Sequence, residues 1–147
     1  MKHRIIAILL LVVVIGVIAV PAAAAMIEND LIMPCYNNTA STSTNFSIST
    51  AGKATVTAVY NGHKGITTGA TVTSYIEKRT LGIFWTKVDI GEPNNEWVDT
   101  STDYAEAFVH EFWLEDKGTY RATVVYEISG TGGATDVIDF DKTVTYS

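Results

Sequence analysis

Cysteine is nearly absent from this chain, since Cys35 is the only one in 147 residues. No intrachain disulfide can form, and without a second thiol we expect no transition-metal site. Three roles remain open for Cys35: lipid attachment, an intermolecular disulfide, or a thiol without a function. A lipid site needs a small residue directly before the cysteine, whereas Pro34 precedes it and the charged Glu28 and Asp30 lie just upstream. We therefore expect a thiol without a function and a monomeric protein.

Cations are also scarce. The chain has ten Lys and Arg against sixteen Asp and Glu, a net charge of −6. Lys2 and Arg4 stand at the N-terminus, so the residues after position 25 hold eight of the cations and all sixteen acids, a net charge of −8. This balance argues against nucleic acid and anionic lipid as partners, because both bind a positive surface.

The acidic residues raise the question of calcium, which binds several converging oxygens. Asp139 and Asp141 fall on one face of a predicted strand, about 7 Å apart, which is too far for both to bind one ion unaided. We expect no metal, and a solvated acidic surface that discourages aggregation between sheets. The acidic residues form two groups: Asp136, Asp139 and Asp141, and Glu92, Glu96, Asp99 and Asp103.

Catalytic motifs are lacking as well. His110-Glu111 begins like the H-E-x-x-H zinc motif, but the fifth position is Leu114 and the segment has the alternation of a strand. There is no G-x-S-x-G sequence for a serine hydrolase. We expect no catalytic residue and no cofactor, hence a protein that is not an enzyme, with a secreted hydrolase as the last alternative.

The first 25 residues have the pattern of an export signal, with a basic start, a long apolar segment from Ile5 to Val20, and four alanines at 22–25. The small residues predict cleavage after Ala25 and a secreted protein. The alternative is an uncleaved helix that anchors the protein in the membrane, because about 23 residues from Ile5 to Ile27 carry no charge and could span a bilayer.

The rest of the chain divides at about residue 45. Residues 26–44 are rich in Ser, Thr and Asn and predict a flexible linker. From 45 to 147 apolar residues alternate with period two between turns rich in Gly, Asn and Asp, which predicts one antiparallel β-sandwich of about seven strands. The predicted strands are 46–50, 53–60, 70–79, 83–89, 104–114, 119–129 and 135–146, with a long polar loop at 91–102.

The segment Asp116-Lys117-Gly118-Thr119-Tyr120 resembles the D-x-G-x-Y corner of immunoglobulin-type sandwiches, in which the tyrosine hydroxyl hydrogen-bonds backward along the chain. Antibody domains have a cysteine two positions after the tyrosine, where this chain has Ala122. The resemblance implies an immunoglobulin-like sandwich held by packing alone. Trp85 would then be the large aromatic residue of the core.

The wider arrangement resembles a family of small secreted bacterial proteins of unknown function with an immunoglobulin-like β-sandwich. This resemblance implies an extracellular protein and no particular activity. It covers most of the chain after the export signal, and the matching segments are the Ser/Thr-rich stretch, Ser49–Thr55, Trp85–Val88, Lys117–Arg121 and Val144–Tyr146.

The aromatic residues provide the functional hypothesis. Trp97 lies in the predicted polar loop, and Tyr75 and Trp113 lie opposite the predicted core face of their strands. Exposed Trp and Tyr stack on sugars or anchor protein interfaces, so we expect a secreted or cell-surface binding module for a protein or glycan. The alternative to binding is that Trp97 folds back over one end of the sandwich and Trp113 packs on its own sheet. A competing hypothesis is a structural protomer that associates through sheet edges or Cys35.

Overall fold

A computed structural model describes residues 35–147, which form two antiparallel β-sheets. The predicted export signal, its cleavage after Ala25 and the first part of the linker lie outside the described residues. Within them, no helix is both long and apolar enough to cross a membrane. The strands are β1 (Thr39–Ile48), β2 (Lys53–Gly62), β3 (Thr67–Thr80), β4 (Phe84–Lys87), β5 (Trp97–Ser101), β6 (Ala105–Trp113), β7 (Gly118–Gly130) and β8 (Asp136–Tyr146).

The two sheets have different widths. The first sheet has the order β1-β2-β6, and the second has the order β4-β3-β7-β8 with β5 paired to β3 as well. Strands β4 and β5 lie one after the other along β3, since Thr80 pairs with Phe84 and Ser74 with Trp97. Between the sheets, β1 lies near β8, β2 near β7, and β6 near β5. The second sheet is therefore one strand wider than the first, and its edge strand β5 lies against β6.

The core follows from strand alternation, because every second side chain of β2, β3 and β7 points between the sheets. Two tyrosines have their rings in the core and donate hydrogen bonds from their hydroxyls to backbone carbonyl oxygens. Tyr126 donates to the carbonyl oxygen of Ser43 at 3.0 Å, and Tyr60 donates to that of Asp103 at 2.8 Å. These bonds satisfy the only polar atom of each ring. The largest fully buried apolar side chains are Tyr60, Tyr126, Phe46, Ile76, Ile128, Val56, Val72 and Val124.

The tyrosine corner predicted before β7 is present. The Tyr120 hydroxyl donates to the carbonyl oxygen of Asp116, four residues earlier, at 2.6 Å. Burial raises the pKa of Tyr120, so the hydroxyl stays protonated, and hence a donor, to a higher pH than in an exposed tyrosine. Ala122, which stands in place of the antibody cysteine, is completely buried in the core.

Residues 35–147 form eight strands, one more than the predicted number of about seven. Strand β1 begins at Thr39, so the last six residues of the predicted linker are not a linker. Its inward positions include Thr42 and Thr44, and these polar residues hid the alternation; the Thr44 hydroxyl lies 2.6 Å from that of Tyr126. Strand β5 lies within the predicted loop at 91–102. Asp99 is half-buried in this strand, and because it is a polar residue it gave the segment the composition of a loop.

Trp85 is not in the core, contrary to the prediction. It pairs with Arg79, whose neighbour Lys78 faces inward, so Trp85 and Arg79 lie on the outer face of the second sheet. The Arg121 guanidinium lies 4.5 Å from the centre of the Trp85 ring. Arg121 also donates two hydrogen bonds to the Glu77 carboxylate, from Nε at 2.9 Å and from Nη2 at 2.6 Å. Trp85 therefore belongs to a cation–π cluster on the surface.

Candidate functional site

The turn between β3 and β4 exposes three apolar side chains at one end of the molecule. Leu81 is 89% exposed, Ile83 70% and Phe84 58%, and we refer to these three residues as the hairpin tip. The turn is closed by a hydrogen bond from the Ile83 amide to the Thr80 carbonyl at 3.2 Å. These apolar residues stand in solvent, so packing within the domain does not explain them.

Leu81 also has an unfavourable backbone conformation. Both central residues of the turn have positive φ, 50° at Leu81 and 75° at Gly82. Positions with positive φ favour Gly, Asn or Asp, because a larger side chain on the Cβ atom crowds the backbone there. Leucine at this position is therefore unfavourable both for its backbone and for its exposure. Residues that break local rules without a gain in stability are candidates for function.

A cleft of about 410 Å³ lies between the two sheets where β3 and β4 extend past the end of β6. Its apolar lining comes from Val88, Phe112, Leu114 and Tyr120, which also contact the core. The remaining lining residues are polar or charged: Lys78, Thr80, Thr86, Lys87, Asp89, Glu115 and Asp116. The same hairpin thus supplies one wall of the cleft and the hairpin tip.

The rim of the cleft has an excess of negative charge. Lys78 is paired with Asp116 at 2.7 Å, and this hydrogen bond raises the pKa of Lys78. Lys87 is paired with Glu96. Asp89 and Glu115 have no cationic partner among the described residues, so their charges are available to a ligand. A basic group next to an apolar one complements this arrangement.

Trp97 is not in a loop, contrary to the prediction, but in β5 between the sheets. Its ring is parallel to that of His110, with the centroids 4.8 Å apart. His110 Nε2 lies 2.6 Å from Asp99 Oδ2, so one strand of each sheet contributes to this cluster. The cluster joins β5 to β6 across the sandwich, and one face of the Trp97 ring is covered.

The structure does not bring the three predicted binding residues together. Tyr75 lies on the outer face of the second sheet, where the Lys87 ammonium is 4.3 Å from the centre of its ring. Trp113 lies on the outer face of the first sheet and is 61% exposed. Trp97 lies between the sheets. Trp113 directly follows Phe112, which belongs to the apolar lining of the cleft, whereas neither Tyr75 nor Trp97 is next in sequence to a lining residue.

Asp136 is not part of a solvated acidic surface, which corrects another prediction. It is only 6% exposed and accepts hydrogen bonds from the amides of Asn37 and Asn38 and from the Thr39 hydroxyl, all within 2.9 Å. Burial raises the pKa of Asp136, but these hydrogen bonds outweigh it and hold the pKa below its usual value. In residues 35–147 no three His, Cys, Asp or Glu side chains converge as metal ligands do.

Sequence reasoning missed the hairpin tip and the cleft. The tip had a signal, since residues 80–82 separate the predicted strands 70–79 and 83–89, and leucine is unusual in such a turn. The cleft had none, because its lining comes from β3, β4 and the end of β6, which the sequence alone does not place side by side. No family model, curated protein or solved structure matches this chain. The function must therefore be inferred from the geometry.

Proposed function

We propose that this chain is an exported, non-catalytic binding module with an immunoglobulin-like β-sandwich, and that its hairpin tip docks on a protein partner. The strand order β1-β2-β6 against β4-β3-β7-β8, together with the Tyr120 corner, supports the immunoglobulin-like assignment. The basic and apolar N-terminal sequence supports export.

The observation that carries the proposal is the conformation of Leu81. A leucine at φ 50° with 89% of its surface exposed lowers the stability of the free protein. With Ile83 and Phe84 it forms an apolar protrusion on a domain that has a net charge of −6 over residues 35–147, from eight cations and fourteen acids. Apolar residues that project from a polar surface are typical of protein interfaces, where they enter a pocket of the partner.

A protein fits this surface better than a glycan. Sugar binding uses the open face of an aromatic ring beside polar groups. Here the tip is mainly aliphatic, and the exposed Trp113 lies outside it on the outer face of the first sheet. The Trp97 ring is stacked on His110, and the Trp85 ring lies beside Arg121. Because Asp89 and Glu115 border the cleft, the partner surface next to its receiving pocket should be basic.

Affinity capture from extracellular proteins of the producing cells tests the proposal. Three versions of the full chain are compared: wild type, a tip variant with Leu81→Ser and Phe84→Ser, and a control with Val98→Ser and Val137→Ser. The control residues are similarly exposed but lie on the outer face of the second sheet. We expect a protein that wild type and control retain and the tip variant loses. Equal capture by the tip variant, or binding to a glycan array that is independent of the tip, would refute the proposal.

A further inference from the structure

We infer that the free edge of β6 binds one extended segment of the partner as an additional strand. The inference rests on the proposed function, for which it supplies the mode of binding. Strand addition of this kind gives affinity through backbone hydrogen bonds and specificity through alternate side chains.

The first observation concerns the backbone of β6. The Leu114 amide donates to the Gly52 carbonyl at 2.9 Å, and the Gly62 amide donates to the Tyr104 carbonyl at 2.7 Å. In an antiparallel pair the hydrogen-bonded positions alternate, so the even-numbered residues of β6 bond to β2. The amides and carbonyls of the odd-numbered residues point away from β2. These residues are Ala105, Ala107, Val109, Glu111 and Trp113, and in the described part of the chain no strand pairs with them.

The second observation is the space beside this edge. The second sheet is one strand wider than the first, and β4 and β5 form its edge on the side of β6, so a strand added to β6 would lie next to that edge. At the end of β6 this space is the cleft of about 410 Å³. Side chains of the added strand that point inward would meet Val88, Phe112 and Leu114. Those that point outward would lie beside Val109, Glu111 and Trp113.

The third observation identifies the occupant as a single strand and not a second copy of this chain. Two β6 edges paired antiparallel would be related by a two-fold axis normal to the sheet, which puts both second sheets on the same side. The β5 strand of each copy already reaches β6 through the contacts of Trp97 and Asp99 with His110. Such a pair would also bring Glu106 and Glu111 of both copies to one seam. A lone extended segment has no second sheet, and one that carries cations avoids this repulsion.

The charges near the edge define the chemistry of the segment. The charged side chains of β6 are Glu106 and Glu111, and Asp89 and Glu115 border the cleft. β6 has no lysine, proline or bulge, so no cation and no irregularity of its backbone opposes a basic strand at this edge. The segment that fits alternates apolar residues, facing the cleft, with Lys or Arg facing outward toward Glu111 and the exposed ring of Trp113.

Peptide binding to the full chain tests this inference, with an eight-residue peptide of alternating Val and Lys as the probe. In an antiparallel pair, opposite residues have their side chains on the same face, so the outward Lys residues lie opposite Glu111 and Trp113 and share hydrogen bonds with them. The amides of the Val residues point away from β6. Methylation of the Lys amides should therefore weaken binding by about tenfold or more, and methylation of the Val amides should not.

The readout is nuclear magnetic resonance titration. We expect shifts and slower hydrogen exchange at the amides of Val109, Glu111 and Trp113, and no binding by a peptide of alternating Val and Glu. If only the Val-methylated peptide loses affinity, the strand is added in parallel, which also supports the inference. Equal affinities of the two methylated peptides, or absence of binding by the unmethylated one, would overturn it. The protein is unaltered in these measurements, so folding does not complicate them.

The experiment distinguishes this inference from the proposed function. The tip variant should bind the Val-Lys peptide as wild type does, because Leu81 and Phe84 do not line the cleft. If the peptide fails to bind while capture of the partner still depends on the tip, only the inference is wrong. If the peptide binds and capture is independent of the tip, the docking function assigned to the tip is wrong.

Discussion

Replacing Leu81 by asparagine should stabilise the protein while it removes an apolar contact from the hairpin tip. Asparagine adopts positive φ more readily than other residues with a side chain, because its short polar group bonds locally to the backbone. Leu81 at φ 50° is 89% exposed and buries almost nothing, so no packing is lost in the exchange. The substitution thus separates the stability of the domain from its proposed function.

The magnitude follows from the backbone term. A residue other than Gly, Asn or Asp in this conformation costs roughly 1 to 2 kcal/mol, and asparagine should recover about half of it, which gives roughly 0.5 to 1 kcal/mol. For a domain of just over a hundred residues, 1 kcal/mol raises Tm by roughly 4 °C. We therefore expect Leu81→Asn to raise Tm by roughly 2 to 4 °C.

Calorimetry of Leu81→Asn and of the control Leu81→Ala provides the measurement. Alanine removes the apolar side chain but keeps a Cβ atom at positive φ, so its Tm should stay close to that of the wild type. Both variants should bind the partner more weakly, and only Leu81→Asn should melt higher. A lower Tm for Leu81→Asn would show that the turn does not strain the leucine, and the reasoning would fail.

Two further predictions concern buried polar groups. Asp136→Asn should destabilise the protein by about 1 to 3 kcal/mol at neutral pH, because the amides of Asn37 and Asn38 lose charged acceptors. The pKa of Asp136 is lower in the folded protein, so its contribution to the stability of the fold is complete above the unfolded pKa of about 3.9 and is lost as pH falls through the folded pKa. Thermal melts at pH 2 to 7 should therefore show a smaller loss of Tm at low pH in Asp136→Asn than in the wild type. Equal losses of Tm would contradict this prediction. Ser74→Ala should stabilise the protein by about 1 kcal/mol in urea unfolding, because the buried Ser74 hydroxyl has no partner in the described residues. Thr123→Ala is its control and should be destabilising, since the Thr123 hydroxyl donates to Asp141 at 2.6 Å; a loss of stability in Ser74→Ala would contradict the prediction.

Period-two alternation predicted the strands that bury apolar side chains on one face. β2 and β7 are examples, since Val56 and Val124 are both fully buried at alternating positions. The same criterion failed where a strand faces inward with polar groups. In β1 the inward Thr44 contacts the Tyr126 hydroxyl, and in β5 the inward Asp99 pairs with His110. Those polar groups are satisfied only by residues distant in sequence, which a local pattern cannot reveal.

The candidate site was less predictable than the fold. Trp113 was expected on the outer face of its strand and lies there, exposed. Trp97 was expected in a loop, but a ring in β5 stacks on His110. The sequence predicts that the acidic residues are solvated as a group, whereas Asp136 is buried and accepts hydrogen bonds from residues at the start of β1. Exposure depends on which strands become neighbours, and composition does not specify them.

The sequence by itself determined the antiparallel β-class, the backward hydrogen bond of Tyr120, the acidic charge and the lack of any intrachain disulfide, because each of these follows from local alternation, a short motif or a count. Only the tertiary structure decided which residues meet. It placed Lys78 and Lys87 of the β3–β4 hairpin beside the end of β6, left one edge of β6 without a paired strand among residues 35–147, and set Leu81 at positive φ in solvent. Pairing between distant strands fixes these features, since it depends on the register of the whole sheet.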